Sequence, residues 1–241
     1  MFDVGETLVD ESRAWTTQAE RAGVTPFALM GTLGALMAHD KDHRGVWDVL
    51  GVERPAEPPS IDQVDLYPDA LSCLKAARDA GLVVGIAGNQ PIGVEARLHE
   101  LGFEANFIAS SAAWGVAKPS AEFFSRIVQA TRLDASAILY VGDRLDNDIL
   151  PARTAGMRTA FIRRGPWGYL HAQRPEVDLA DMRLESLAEL TTAFTQYRRD
   201  LSEGSAYGQG GRLEESARSK RDSVARDSVL GPAIARLPRP C

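Results

Sequence analysis

Short runs that are apolar along their whole length recur through the middle of this 241-residue chain, each separated from the next by a stretch with helical spacing. The runs are Leu82-Val83-Val84-Gly85-Ile86-Ala87, Phe107-Ile108-Ala109, Ile138-Leu139-Tyr140-Val141 and Thr159-Ala160-Phe161-Ile162. A strand without a polar face needs cover on both sides, which a half-solvated antiparallel sheet does not provide. The intervening segments can supply it. Asp69 to Ala80 stops at Gly81, Val94 to Leu101 follows the first run, and Ser120 to Thr131 opens with a serine cap and Glu122. Ile149 to Ala155 stops at Gly156, and Glu185 to Arg199 closes the series. This alternation predicts a doubly wound parallel sheet of the α/β, Rossmann-like class.

Two stretches fall outside the alternation. Residues 12 to about 50 carry Trp15, Ala19, Ala22, Phe27, Met30, Leu33, Leu36 and Met37 at the spacings of short amphipathic helices, and Pro55, Pro58 and Pro59 close that segment. Residues 1–11 and 66–199 are therefore expected to form the α/β core, and residues 12–65 a small all-helical insertion. Residues 200–241 hold one aromatic, Tyr207, and the run Gly208-Gln209-Gly210-Gly211, a composition too poor in apolar area to offset chain entropy. That tail is expected to be disordered.

Composition narrows the partners. A 44% apolar chain can bury a sizeable core, and a net charge of −6 gives no general attraction to nucleic acid or to acidic membrane surfaces. There is no apolar run of spanning length and no leader pattern, so the expected location is cytoplasmic, with neither nucleic acid nor membrane as partner. Cys73 and Cys241 offer neither a disulfide framework nor metal-ligand spacing.

Open parallel sheets gather reactive side chains where their strands end. Asp3 follows Met1-Phe2, Gly88-Asn89 follows Ala87, Asp143 follows Tyr140-Val141-Gly142, and Lys118-Pro119 lies in the loop beyond Ile108. Only two residues precede Asp3, so either the natural start lies upstream or the first strand is a stub. A stub is expected to leave neighbouring backbone groups unpaired.

Phe2 to Asp10 resembles the first motif of the haloacid dehalogenase superfamily, Lys118-Pro119 its third, and Val141-Gly142-Asp143-Arg144-Leu145-Asp146-Asn147-Asp148 its fourth. The helical insertion stands at that family's commonest cap position, and the resemblance covers about residues 1–195. It implies a Mg²⁺-dependent hydrolase of small phosphate esters that works through an aspartyl-phosphate. Asp3 would be the nucleophile, and Lys118 would hold the phosphate. Gly88 and Asn89 would contact its oxygens, and Mg²⁺ would be held by Asp3, the Gly5 carbonyl, Asp143 and Asp148. The implied partner is a small phosphorylated metabolite, and the chain would act as a monomer or homodimer.

Two positions depart from the pattern. Gly88 stands where a Ser or Thr hydroxyl contacts the phosphate, and Gly5 stands where an Asp protonates the leaving group. Glu6 is adjacent, but neighbouring side chains at a strand end point in opposite directions. Two alternatives stay open. One is a catalytically weak protein that keeps Mg²⁺ and phosphate affinity. The other is a metal-free 2-haloacid dehalogenase, disfavoured because that branch carries a bulky hydroxyl-bearing residue at the Gly5 position.

Overall fold

Parallel pairing of strands that are buried from end to end organises the protein, seen in a computed structural model that describes residues 1–206. In chain order the elements are α1 (Ser12–Arg21), α2 (Pro26–Ala38), α3 (Val46–Leu50), α4 (Ala70–Asp79), β1 (Gly85–Gly88), α5 (Val94–Glu100), β2 (Phe107–Ser110) and α6 (Ser111–Trp114). They continue with α7 (Ala121–Thr131), β3 (Leu139–Gly142), α8 (Leu150–Thr154), β4 (Arg158–Ile162), α9 (Gly165–His171), β5 (Met182–Leu184) and α10 (Leu187–Ala206). β1 pairs with β2, β3 pairs with β4, and β4 pairs with β5, every pair parallel. Phe2 joins the two halves, bridging Ile86 on one side and Val141 on the other. The spatial order is β2, β1, the Phe2 segment, β3, β4, β5, the parallel architecture expected from the apolar runs.

The stub strand is satisfied on both sides, contrary to expectation. Phe2 N–H donates to Gly85 O (3.0 Å), and Ala87 N–H donates to Phe2 O (2.9 Å). Asp3 N–H donates to Val141 O (2.9 Å), Val141 N–H donates to Met1 O (2.9 Å), and the Met1 nitrogen donates to Leu139 O (2.8 Å). Three residues suffice because they lie in the middle of the sheet, where both neighbours offer ladder groups.

The period of two along each strand divides the core. Phe2, Ile86, Val141, Ala160 and Ile162 face one side, covered by α4, α5 and α10. Met1, Ala87, Ala109 and Tyr140 face the other, where α7 brings Phe123, Phe124 and Ile127. Tyr140 is fully buried there, and its hydroxyl donates to Ala87 O at 2.9 Å.

Helices α1, α2 and α3 pack around Leu29, Leu33, Met37, Val46 and Trp47, and Trp167 of α9 joins this cluster from the sheet side. The chain leaves and re-enters the sheet region side by side. Val9 bridges Leu66 in antiparallel fashion, Asp10 N–H donates to Asp65 O (2.7 Å), and Tyr67 N–H donates to Leu8 O (3.0 Å). No helix among the described residues is long and apolar enough to cross a membrane.

Some boundaries differ from the sequence expectations. β1 begins at Gly85, because Val84 N–H is taken by the Asn106 side chain (2.8 Å). α9 follows β4 closely, with Pro166 in its first turn where no N–H is needed. β5 was missed because its three residues alternate buried, exposed, buried. The last helix continues to Ala206, so the tail expected from residue 200 begins in helix, and the remainder of that expectation, 207–241, lies outside the described residues.

Phe2 is 3% exposed and carries Asp3 on its back. Phe2→Ala is expected to cost about 3–5 kcal/mol in urea unfolding. A loss below about 1 kcal/mol would show that the sheet centre does not depend on this residue.

Candidate active site

At the carboxyl edge of the sheet, the chain turns sharply after Asp3, since Leu8 N–H and Val9 N–H both donate to Val4 O (2.9 and 3.0 Å). This turn leaves the Asp3 carboxylate facing β1 and β3. Gly88, the last residue of β1, makes room for it: a β-carbon there would stand 2.5 Å from Asp3 Oδ1. Gly142, the last residue of β3, does the same for Asp148, whose Cγ and Cβ would lie 2.5 and 2.6 Å from an added β-carbon. Asp148 sits on a single π-turn, Leu145–Ile149, a widened helical turn of the kind frequent at functional sites.

Lys118 reaches in from the loop after α6. Its backbone is clamped by Asn89, whose Nδ2 donates to Lys118 O (3.0 Å) and whose Oδ1 accepts from Lys118 N–H (2.8 Å). The ammonium then lies 2.7 Å from Asp3 Oδ1 and 2.5 Å from Asp148 Oδ1. Carboxylate oxygens of Asp3, Asp143 and Asp148 lie within 4.8 Å of one another. Folding thus unites Asp3, Lys118, Asp143 and Asp148 from four places in the sequence. Gly88 abuts Asp3, and Gly5 lines the same cleft as Asp3. The Asn89 side chain is committed to holding Lys118.

Burial and charge act against each other here. Burial favours a neutral Lys118, but Asp148 and Asp3 outweigh it and raise its pKa well above the ordinary lysine value, so it stays charged. Burial, followed by the charges of Asp148 and Asp3, pushes Asp143 well above the carboxylate range. Burial likewise lifts Asp148 to about 6, with Lys118 opposing. One lysine does not neutralise three buried carboxylates. Asp143 Oδ2 is buried and has no hydrogen-bond partner among the described residues. An orphaned oxygen within a compact all-oxygen cluster fits a hard divalent cation such as Mg²⁺.

Glu6 faces away. Its φ is +51°, and its oxygens accept from Tyr67 Oη (2.6 Å) and Glu11 N–H (3.0 Å). Sequence reading missed two groups. His171 of α9 accepts from Leu145 N–H at Nδ1 (3.0 Å), fixing the start of the π-turn. Glu11 lies just before α1, and burial raises its carboxyl to about 7. No motif or spacing marks either one. Asp3, Lys118 and Asp143 line a cleft of about 1260 Å³, which Trp15, Trp47 and Arg54 also line.

Residues 1–156 match the family model of the haloacid dehalogenase-like hydrolases. The chain is 31% identical over 137 residues to glyceraldehyde 3-phosphate phosphatase of Methanocaldococcus jannaschii, covering 56% of this chain and 58% of that protein. It is 29% identical over 146 residues to the pyrimidine 5'-nucleotidase YjjG of Escherichia coli, covering 56% and 63%. It thus spans little more than half the length of these relatives. The crystal structure of a HAD phosphatase from Thermococcus onnurineus superposes with a TM-score of 0.54 at 18% identity, over 79% of this chain and 94% of that one, a likeness of fold.

Two outcomes follow from this geometry. Gly142→Ala forces Asp148 aside and is expected to cost about 1–3 kcal/mol in urea unfolding, against no change if the space is not needed. Burial holds His171 at about 4, with Asp146 opposing and Arg174 and Arg144 reinforcing. The folded protein therefore binds fewer protons than the unfolded chain, and this histidine's contribution to stability is lost as pH falls from 6.5 towards 4, by about 3 kcal/mol in all. His171→Gln, whose amide oxygen can accept from Leu145, should show a shallower acid limb in unfolding against pH. An unchanged limb would contradict the assignment.

Proposed function

The chain belongs to the haloacid dehalogenase-like hydrolases, and on that premise we propose that it hydrolyses small phosphate esters through a phosphorylated Asp3. The observation that carries this reading is the placement of Lys118 Nζ between Asp3 and Asp148, with Asp143 completing a buried oxygen cluster. Phosphoryl transfer demands positioning and charge neutralisation more than covalent machinery. The Asp3 carboxylate attacks phosphorus and the bond to the ester oxygen breaks. Water then attacks the same phosphorus, releasing phosphate and restoring the carboxylate.

Lys118, held charged, lowers the repulsion between the anionic phosphate and the anionic nucleophile. Asn89 keeps Lys118 in place from behind. Asp3, Asp143 and Asp148 would hold Mg²⁺, with the Gly5 carbonyl as a further donor, and the bound ion would neutralise the phosphate oxygens. Gly88 contributes backbone and space rather than a hydroxyl, since its position abuts Asp3 Oδ1. Residues 12–65 act as a cap over the cleft. Trp15, Trp47 and Arg54 offer apolar faces and a cation to the substrate's organic part, which suits a small phosphorylated metabolite. The names of the phosphatase relatives support this substrate class.

The test is turnover by the purified full chain of an aryl and an alkyl phosphate with Mg²⁺. Release of phosphate is expected, lost to below detection in Asp3→Asn and on chelation, and restored by adding Mg²⁺ back. Absence of turnover with Mg²⁺-dependent binding of beryllium fluoride would replace the enzyme by a binding protein. Chloride release from 2-haloacids without metal would replace it by a dehalogenase.

A further inference from the structure

Ester cleavage needs a proton for the departing oxygen and a base for the incoming water. The titratable groups around Asp3 are nearly all engaged. Lys118 is shared between Asp3 and Asp148, and Asp143 completes the acidic cluster. Glu6 has both oxygens occupied by Tyr67 Oη and Glu11 N–H. Asp146 takes Arg144 Nε on one oxygen (3.1 Å) and an Arg144 terminal nitrogen on the other (2.6 Å). Asp10 Oδ1 accepts from Ser12 N–H (2.8 Å), and His171 Nδ1 accepts from Leu145 N–H (3.0 Å).

Glu11 differs from these. It occupies the residue position that precedes α1, where an acidic side chain ordinarily accepts from the first helical N–H groups, yet it makes no such bond. Its backbone is fixed by its N–H on Glu6 Oε1 and by Trp15 N–H on its carbonyl (3.0 Å). Its side chain turns instead into the cleft that Gly5 and Trp15 also line. A β-carbon on Gly5 would collide with Glu11 Oε1, and would lie 2.8 Å from Cδ and 3.3 Å from Oε2. The Glu11 carboxyl therefore occupies the volume where a side chain at position 5 would begin.

We propose that Glu11 is the proton-transfer residue of this site, its carboxyl delivered from the start of α1 into the space that glycine at position 5 leaves open. The assignment rests on the phosphatase reading above. In the first step an Asp3 oxygen bonds to phosphorus, the bond from phosphorus to the ester oxygen breaks, and the Glu11 carboxylic proton passes to that oxygen, giving the free alcohol. In the second step the Glu11 carboxylate takes a proton from water while the water oxygen bonds to phosphorus. The bond to Asp3 then breaks, leaving inorganic phosphate, the Asp3 carboxylate and protonated Glu11. Gly5 and Glu11 form a matched pair, because a larger residue at 5 would evict the acid.

The test compares kcat/KM for an alkyl phosphate with that for p-nitrophenyl phosphate, whose leaving group needs little protonation. In Glu11→Gln the alkyl value is expected to fall about 10²-fold or more, and the aryl value several-fold. In the double variant Gly5→Asp with Glu11→Ala, the alkyl value should recover at least about tenfold over Glu11→Ala alone, since general acid help spans about 10²–10⁴-fold. Mg²⁺-dependent binding of beryllium fluoride should be unchanged in Glu11→Gln, which checks folding and the metal site together. Retained alkyl turnover in Glu11→Gln, equal losses for both esters, absence of rescue, or weakened beryllium fluoride binding would each overturn the role while the phosphatase reading stands. No turnover of either ester by the unaltered chain would overturn both.

Discussion

A buried lysine held between two aspartates is the constraint on which the rest of this structure depends. Lys118 Nζ meets Asp3 at 2.7 Å and Asp148 at 2.5 Å with almost no exposure of any of the three. Buried ions cost several kcal/mol each in lost hydration, and they persist only where partners are fixed in advance. The sheet does the fixing. Asp3 is tied through the Phe2 ladder to both β1 and β3, Asp148 is set by the π-turn after β3, and Lys118 is clamped by Asn89 at the end of β1. Such a triad is weak as a source of stability. It makes sense as a site kept charged for a charged ligand.

Three glycines create that site by what they omit. Gly88 yields volume to Asp3, Gly142 to Asp148, and Gly5 to Glu11. Side chains from elsewhere in sequence converge because the strand ends themselves are bare. Position 5 looks like the loss of an acid when only the first motif is considered. The folded chain places another carboxyl in that volume, that of Glu11 immediately before α1.

Much of this was legible in the sequence. Whole-length apolar runs gave the parallel sheet, since only strands covered on both faces tolerate them, and the strand ends gave Asp3, Lys118 and Asp143. What was not legible has physical causes. Three-residue β5 is too short and too alternating to read as a buried strand. The stub at Phe2 looked unsatisfied because its bridge partners, Ile86 and Val141, are 84 and 139 residues away. No motif or spacing marks Glu11, and only the fold brings its carboxyl against Gly5. Asn89 reads as a ligand contact, while its amide is spent on the backbone of Lys118.

The most direct measurement is an acid quench of the full chain reacting with a radiolabelled phosphate ester in Mg²⁺, followed by peptide mapping. The account predicts label on the peptide that carries Asp3, in a bond cleaved by hydroxylamine as an acyl phosphate is. Label on any other residue, or hydrolysis that proceeds with no phosphorylated chain at any quench time, would contradict it.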